Sequence, residues 1–145
     1  MCHQRSINEV KIKKMELIHK ELSNKIIKAF YDVYNELGYG FLEKVYENAL
    51  CNELISRGIF CKKQQAIKVY YKDIEVGNYY ADIIVDDKII IELKASPLCE
   101  EHEYQLLNYL KATDIEVGLL LGFGKEPVFK RKVFSNSRKN EHKNR

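Results

Sequence analysis

Three residues carry the chemistry this sequence offers: Asp82, Glu92 and Lys94, set in the stretch YYADIIVDDKIIIELKA at 79–95. They interrupt runs of β-branched residues that otherwise suit a covered sheet. A lone charge there costs several kcal/mol unless it is paired or holds a metal. The DD at 86 and 87 reads as a tight turn, which makes the flanking strands neighbours. Asp82 and Glu92 stand nearly equidistant from that turn, hence nearly opposite each other. By the two-residue period Tyr80, Asp82 and Ile84 share a face, as do Ile90, Glu92 and Lys94. Facing carboxylates repel unless a cation lies between them. Mg2+ suits the pair, since it takes oxygen ligands and keeps waters that a phosphate can displace. Lys94 would then orient a water or offset developing charge. The plainer reading is a cross-strand ion pair at an open sheet edge. The apolar KIII before Glu92 weighs against it, because that strand reads as covered on both faces.

The elements that would hold these residues are set by period and punctuation. NKIIKAFYDVYNEL (24–37) places Ile26, Ile27, Phe30, Val33, Tyr34 and Leu37 on one helical stripe, with Ser23 as N-cap. GYG breaks it, and a second helix comes next with Leu42, Val45, Tyr46, Ala49, Leu50 and Leu54 as its apolar face. Gly58 suits the left-handed position after that helix. The period then changes to two: QQAIKVYY, a KD turn, IEVGNYYADIIV, the DD turn and KIIIELKA form a three-strand antiparallel meander. SPLCEEHEYQLLNYLKAT reads as a helix with Ser96 as N-cap and Pro97 in the first helical position. VGLLLGFG is a covered strand, parallel to the third through a right-handed crossover. VFKRKVF is a last, exposed strand. The order ααβββαββ predicts one α/β domain over 23–134, a mixed sheet flanked by helices. Residues 1–22 read as an N-terminal extension able to form helix, and 135–145 as a basic, disordered tail.

Composition sets the class: 145 residues, 46% hydrophobic and 31% charged, suit a single globular domain. No apolar run approaches the ~20 residues of a membrane span, and the N-terminus lacks an apolar signal core. A cytoplasmic protein away from membranes is expected. Cys2, Cys51, Cys61 and Cys99 form no CxxC pair, which argues against a local zinc or iron–sulfur site. They read as reduced thiols, most of them small core hydrophobes. Lys125 to Arg145 holds eight basic residues against Glu126 and Glu141, so the net +3 is a basic end on a slightly acidic remainder. Such an end fits a polyanion; a solvated, frayed tail is the alternative.

Asp82, a hairpin turn and then Glu92-Leu93-Lys94 resemble the D…ExK core of the PD-(D/E)XK nuclease superfamily, with Ala81 where that family usually has proline. The chain is further similar to the small bacterial GxxExxY branch, whose motif stands here as Gly40-Phe41-Leu42-Glu43-Lys44-Val45-Tyr46. The likeness runs from about Ser23 to Arg131. It implies a restriction-endonuclease-like core and a Mg2+- or Mn2+-dependent nuclease. Asp82, Glu92 and the Leu93 carbonyl would hold the metal, Lys94 would position the attacking water, and Glu43 would be an additional acid in the site. Gln105 and Tyr109 resemble the QxxxY pair of a related exonuclease branch, where the pair helps orient the lysine and the DNA backbone.

Each accessory residue also has a structural reading. Glu43 suits a helix N-terminus, Tyr46 matches the apolar stripe, and Tyr109 can simply pack. Gln105 among leucines needs a polar partner. His102, three residues earlier, is a minor candidate. The reaction implied is hydrolysis of nucleic-acid phosphodiesters, DNA favoured. Lys130, Arg131 and Lys132 would supply phosphate contacts, and Tyr79, Tyr80 and Phe129 base stacking. The rival reading is a non-catalytic nucleic-acid- or partner-binding module that keeps the fold. Action as a homodimer or through a protein partner is compatible with so small a domain.

Overall fold

The computed structural model describes the backbone of residues 2–143 and the side chains of 6–139 other than 16 and 17. Five strands lie in one sheet in sequence order: β1 (Cys61–Tyr71), β2 (Ile74–Val85), β3 (Ile89–Lys94), β4 (Val117–Phe123) and β5 (Pro127–Val133). β1, β2 and β3 are the expected meander, β3 and β4 run parallel, and β5 returns antiparallel along the edge. The mixed α/β architecture is the one read from the sequence. Among the described residues five helices accompany it: α1 (Cys2–Leu17), α2 (Lys20–Leu37), α3 (Glu43–Ser56), α4 (Glu100–Ala112) and α5 (Asn136–Lys143).

The sheet is the middle of three layers. Ile89, Ile91 and Leu93 of β3, with Val117, Leu119, Leu121 and Phe123 of β4, pack on α2 and α3. Ile90 and Leu120 face the other way, against Leu106, Tyr109 and Leu110 of α4. Both faces of β3 and β4 are thus covered, which is why these strands are unbroken apolar runs rather than alternating ones. Gly118 lies under α4: a Cβ there would come within 2.6 Å of Leu106 Cδ1. That glycine sets how closely the helix approaches.

Helix boundaries differ from expectation in two places. Ser23 lies one turn inside α2, buried, its amide bonded to the His19 carbonyl, so it caps nothing. α4 begins at Glu100 rather than Pro97, and His102 Nδ1 accepts the Cys99 amide as part of the cap. Charge at the new start agrees with the helix dipole, since Glu100, Glu101 and Glu103 occupy its first turn.

The apolar face of α3 is also rotated. Tyr46, Glu47, Leu50, Cys51 and Leu54 are buried, whereas Leu42 and Val45 are exposed. The Tyr46 ring stacks on Phe123 with centroids 4.3 Å apart. Its hydroxyl donates to the Gly38 carbonyl and accepts the Phe41 amide, fixing the loop that leads into the helix. Tyr46 therefore orients α3, and the acid beside it goes inward.

Residues 136–143, expected to be disordered, form α5. Its start is tied down by Asn136, whose amide donates to Glu116 and whose side chain donates to the Asp114 carbonyl. Lys139 donates to the carbonyls of Thr113 and Ile115. Residues 144 and 145 of the expected tail lie outside the described residues.

Candidate active site

β2 and β3 pair through Ile83–Val85 and Ile89–Ile91, and then the ladder stops. Asp82 and Glu92 are the next opposed residues, and their carboxylates take over the missing backbone bonds. The Asp82 amide donates to Glu92 Oε1 at 3.1 Å, and the Leu93 amide donates to Asp82 Oδ2 at 2.8 Å. Both side chains lie where the ladder ends, close enough that the Asp82 charge acts on Glu92. Asp82 and Glu92 therefore meet at the same break in the ladder.

The simple face rule fails at Asp82. Ile83 and Val85 pack on the α2–α3 side, but Ala81, of the same parity, packs on the α4 side. Across from Asp82 stands Gln64, between the pairs Lys63–Ile83 and Gln65–Ala81, with a φ of 51°. A left-handed residue in a strand swaps the faces of the residues beyond it. Tyr80 and Ile84 are accordingly on opposite faces, and Tyr79 packs on Tyr109 at 5.7 Å between centroids. The backbone conformation that reverses the strand is uncommon for a non-glycine residue.

The electrostatics arise from crowding acids where water is scarce. Burial and then the Asp82 charge push Glu92 up to about 8. Asp82 is also raised, first by burial and then by Glu47, against the lowering effects of the Leu93 amide, Gln64 and Lys94. Lys94 comes two residues after Glu92 on the same face of β3 and favours ionisation of both acids. Two carboxyl groups that resist losing their second proton form a natural donor pair for a divalent cation.

α4 closes the other side. Gln105 Nε2 donates to the Tyr109 hydroxyl at 2.8 Å. Burial, followed by the Glu92 charge, raises Tyr109 to about 12. The pair thus adjoins the carboxylates, whose charges act on the Tyr109 hydroxyl. Glu43 sits at the far end of β3, where its Oε1 accepts the Ala95 amide at 3.3 Å.

Glu47 and Gln64 escaped the sequence reading. Glu47 is 3% exposed; Gln64 Nε2 donates to Glu47 Oε1 at 2.7 Å and reaches Asp82 Oδ1 at 3.4 Å. Lys44 covers the other Glu47 oxygen at 2.9 Å. The available signal was a glutamate four residues after Glu43 and in register with Leu50, Cys51 and Leu54.

The other candidates divide. Lys130 and Lys132 lie on the α4 face, both paired with Glu103 at 3.0 and 2.6 Å. Cross-sheet register puts Lys130 in line with Leu120 and Glu92. Arg131 points the other way and donates to the Met15 and Ile18 carbonyls. Phe129 stacks edge-on against Tyr31, while Tyr79 and Tyr80 are about half exposed. His102 is engaged in the α4 cap.

Among the described residues no three His, Cys, Asp or Glu side chains are grouped to hold one ion. The residues that could hold a metal here are the two carboxylates, with the carbonyl of Leu93 next to Glu92 in sequence. That oxygen-only, incomplete set suits an ion that retains water. Just past Lys94, at the carboxyl ends of β3 and β4, a cleft of about 550 Å³ opens, with Lys125 and Lys130 on its wall. A larger cleft, about 610 Å³, lies between β1 and the α4–α5 junction, and neither cleft is lined by Asp82, Glu92 or Lys94.

No curated protein matches the chain. Two solved structures are similar to it. One is described as SSO0001, 17% identical with a TM-score of 0.48, covering 68% of this chain and 53% of its own. The other is the alkaline exonuclease LHK-Exo from Laribacter hongkongensis, 12% identical with a TM-score of 0.41, covering 70% and 60%. The chain thus spans little more than half the length of either. The family model of the PD-(D/E)XK nuclease superfamily matches residues 20–133, the span holding the sheet, the paired carboxylates and Lys94, and the chain belongs to that superfamily.

Proposed function

We propose that this protein is a nuclease of the GxxExxY branch that hydrolyses phosphodiester bonds of nucleic acid, DNA before RNA, with Mg2+ or Mn2+. The observation that carries this reading is the convergence of Asp82 and Glu92 in the gap between β2 and β3 with Lys94 beside them. Asp82, Glu92 and the Leu93 carbonyl would hold the metal, with Glu43 at the end of β3 as an additional acid. A bound divalent ion supplies Lewis acidity and a bound water of lowered pKa.

The chain's own residues do the rest. Lys94 directs positive charge at the scissile phosphate and orients the attacking water, an effect that preorganised charge makes large in a site of low water content. Gln105 holds the Tyr109 hydroxyl beside Glu92, where the pair would help orient Lys94 and the substrate backbone. Lys130 and Lys132 offer sequence-independent phosphate contacts, and Tyr79 and Tyr80 present faces on which bases stack. This reading places the protein in the cytoplasm.

The test is nicking of supercoiled and linear DNA in Mg2+ or Mn2+, with Lys94→Ala beside wild type and circular dichroism as a folding control. Metal-dependent cleavage that falls roughly 10²–10³-fold in the folded variant is the expected result. Binding of DNA without cleavage by wild type would overturn the catalytic reading and leave a nucleic-acid-binding module.

A further inference from the structure

Two thiols unused by the chemistry above lie against each other one layer away from it. Cys51, on α3, is 4% exposed, and Cys61 is the first residue of β1. Both are free thiols. Their Sγ atoms are 2.9 Å apart, about 0.9 Å beyond the ~2.0 Å of a disulfide bond. The chain reversal that brings them together is built without any covalent link. The Arg57 amide bonds back to the Glu53 and Leu54 carbonyls, and Gly58, at a φ of 77°, turns the chain. The Ile59 amide then returns to the Leu54 carbonyl, and the Asp86 amide donates to the Phe60 carbonyl at 2.8 Å, seating the start of β1 against the end of β2.

We propose that Cys51 and Cys61 are a disulfide-forming site that staples α3 to β1 when the protein meets a hydroperoxide. One thiolate attacks the peroxide O–O bond and becomes a sulfenic acid, releasing hydroxide. The second sulfur displaces the sulfenic hydroxyl, and with the two thiol protons the oxygens leave as water. Two thiols and one hydrogen peroxide thus yield one disulfide and two waters; sulfur is oxidised and peroxide oxygen reduced. Burial, followed by the bond to Cys51, pushes the Cys61 thiol up to about 12. Closure is therefore slow at neutral pH.

The staple falls where the two elements already cooperate. Cys51 is one turn after Glu47 on the buried face of α3, and Cys61 is three residues before Gln64. Closing it locks the spacing across which Gln64 reaches Glu47. The proposal rests on the geometry of the pair and stands whether or not the chain cleaves nucleic acid.

The experiment exposes the full chain to hydrogen peroxide, caps remaining thiols with iodoacetamide, and maps the peptides by mass. Cys99 is exposed and serves as the reference thiol. The expected result is a peptide pair joined through Cys51 and Cys61, lighter by two hydrogens and separated by dithiothreitol. The oxidised protein should also melt roughly 5–10 °C higher, a rise absent in Cys61→Ser. Capped Cys51 and Cys61 alongside an oxidised Cys99 would overturn the proposal, as would cross-links that join either to Cys99 or to another molecule. Peptide mapping of wild type decides the matter even if the serine variant does not fold.

Discussion

Glu92 ties the stability of the protein to pH. Its ordinary value is 4.5, and in the fold it is held near 8 by burial and by Asp82. Between those values the unfolded chain has released the proton that the folded chain keeps. The contribution of Glu92 to stability is therefore fully present below about pH 4.5 and is lost as pH rises through about 8. Urea midpoints in a chelating buffer should fall for wild type between pH 5 and 8.5 relative to Glu92→Gln. On the proposed reading the ion would bind only the folded, ionised pair, so added Mg2+ should restore the wild-type midpoint at pH 8.5 and leave that of Glu92→Gln unchanged. Equal pH profiles for the two proteins would remove Glu92 as the cause. Gln64 makes a second prediction at this scale. Gln64→Leu leaves Glu47 and Asp82 with no amide between them and should cost about 1–3 kcal/mol in urea unfolding. In a double-mutant cycle, Glu47→Gln should recover part of that loss; strict additivity would show that the amide does not couple the two acids.

At the scale of elements, the distance between α4 and β4 governs the site. α4 carries Gln105 and Tyr109 to Glu92, and Leu106 rests on the bare backbone of Gly118. Gly118→Ala should lower stability by roughly 1–3 kcal/mol through overpacking and lower nuclease activity as the helix lifts. Leu106→Val in the same chain should recover both, measured by thermal melts and the nicking assay. A Gly118→Ala protein with unaltered stability would mean that the Leu106 side chain moves aside without cost. α3 shows the reverse lesson: its acids depend on a tyrosine. Tyr46 is core, yet by holding the loop from Gly38 to Phe41 it sets where the helix begins and which way Glu43 and Glu47 point.

For the whole molecule the three neighbouring basic residues of β5 separate into two jobs. Lys130 and Lys132 face α4, each drawn by Glu103, whose own acidity the two ammonium groups enhance. Arg131 faces the opposite layer and grips the junction of α1 and α2. Replacing both lysines with glutamine should lower the slope of log affinity against log salt by roughly 1–2 while leaving the melting temperature nearly unchanged. Arg131→Ala should do the converse, lowering the melting temperature with no change in slope. Fluorescence anisotropy on labelled DNA at several salt concentrations checks both, and a slope change in Arg131→Ala would return that residue to the binding surface.

Much of the fold and of the candidate site is legible in the order of the amino acids. The change of period from 3.6 to two marks where helices yield to strands, and the DD turn alone makes Asp82 and Glu92 opposites, since in a tight hairpin register is set by turn position. The restriction-endonuclease-like core and the Gln105–Tyr109 pair came instead from the family resemblance of the motifs, not from period or spacing alone. Four things depended on tertiary contacts. Gln64 in a left-handed conformation reverses β1 and β2, so counting by twos fails beyond it. Glu47 turns inward because Tyr46 stacks on Phe123, a residue far along the chain, which rotates α3 away from the stripe its period suggests. Arg131 leaves its neighbours because a strand sends alternate side chains to different layers, and only the layers determine what awaits them. Cys51 and Cys61 meet because a glycine turn folds β1 back over α3. Local propensity determined the elements; long-range packing determined which side chains share a space.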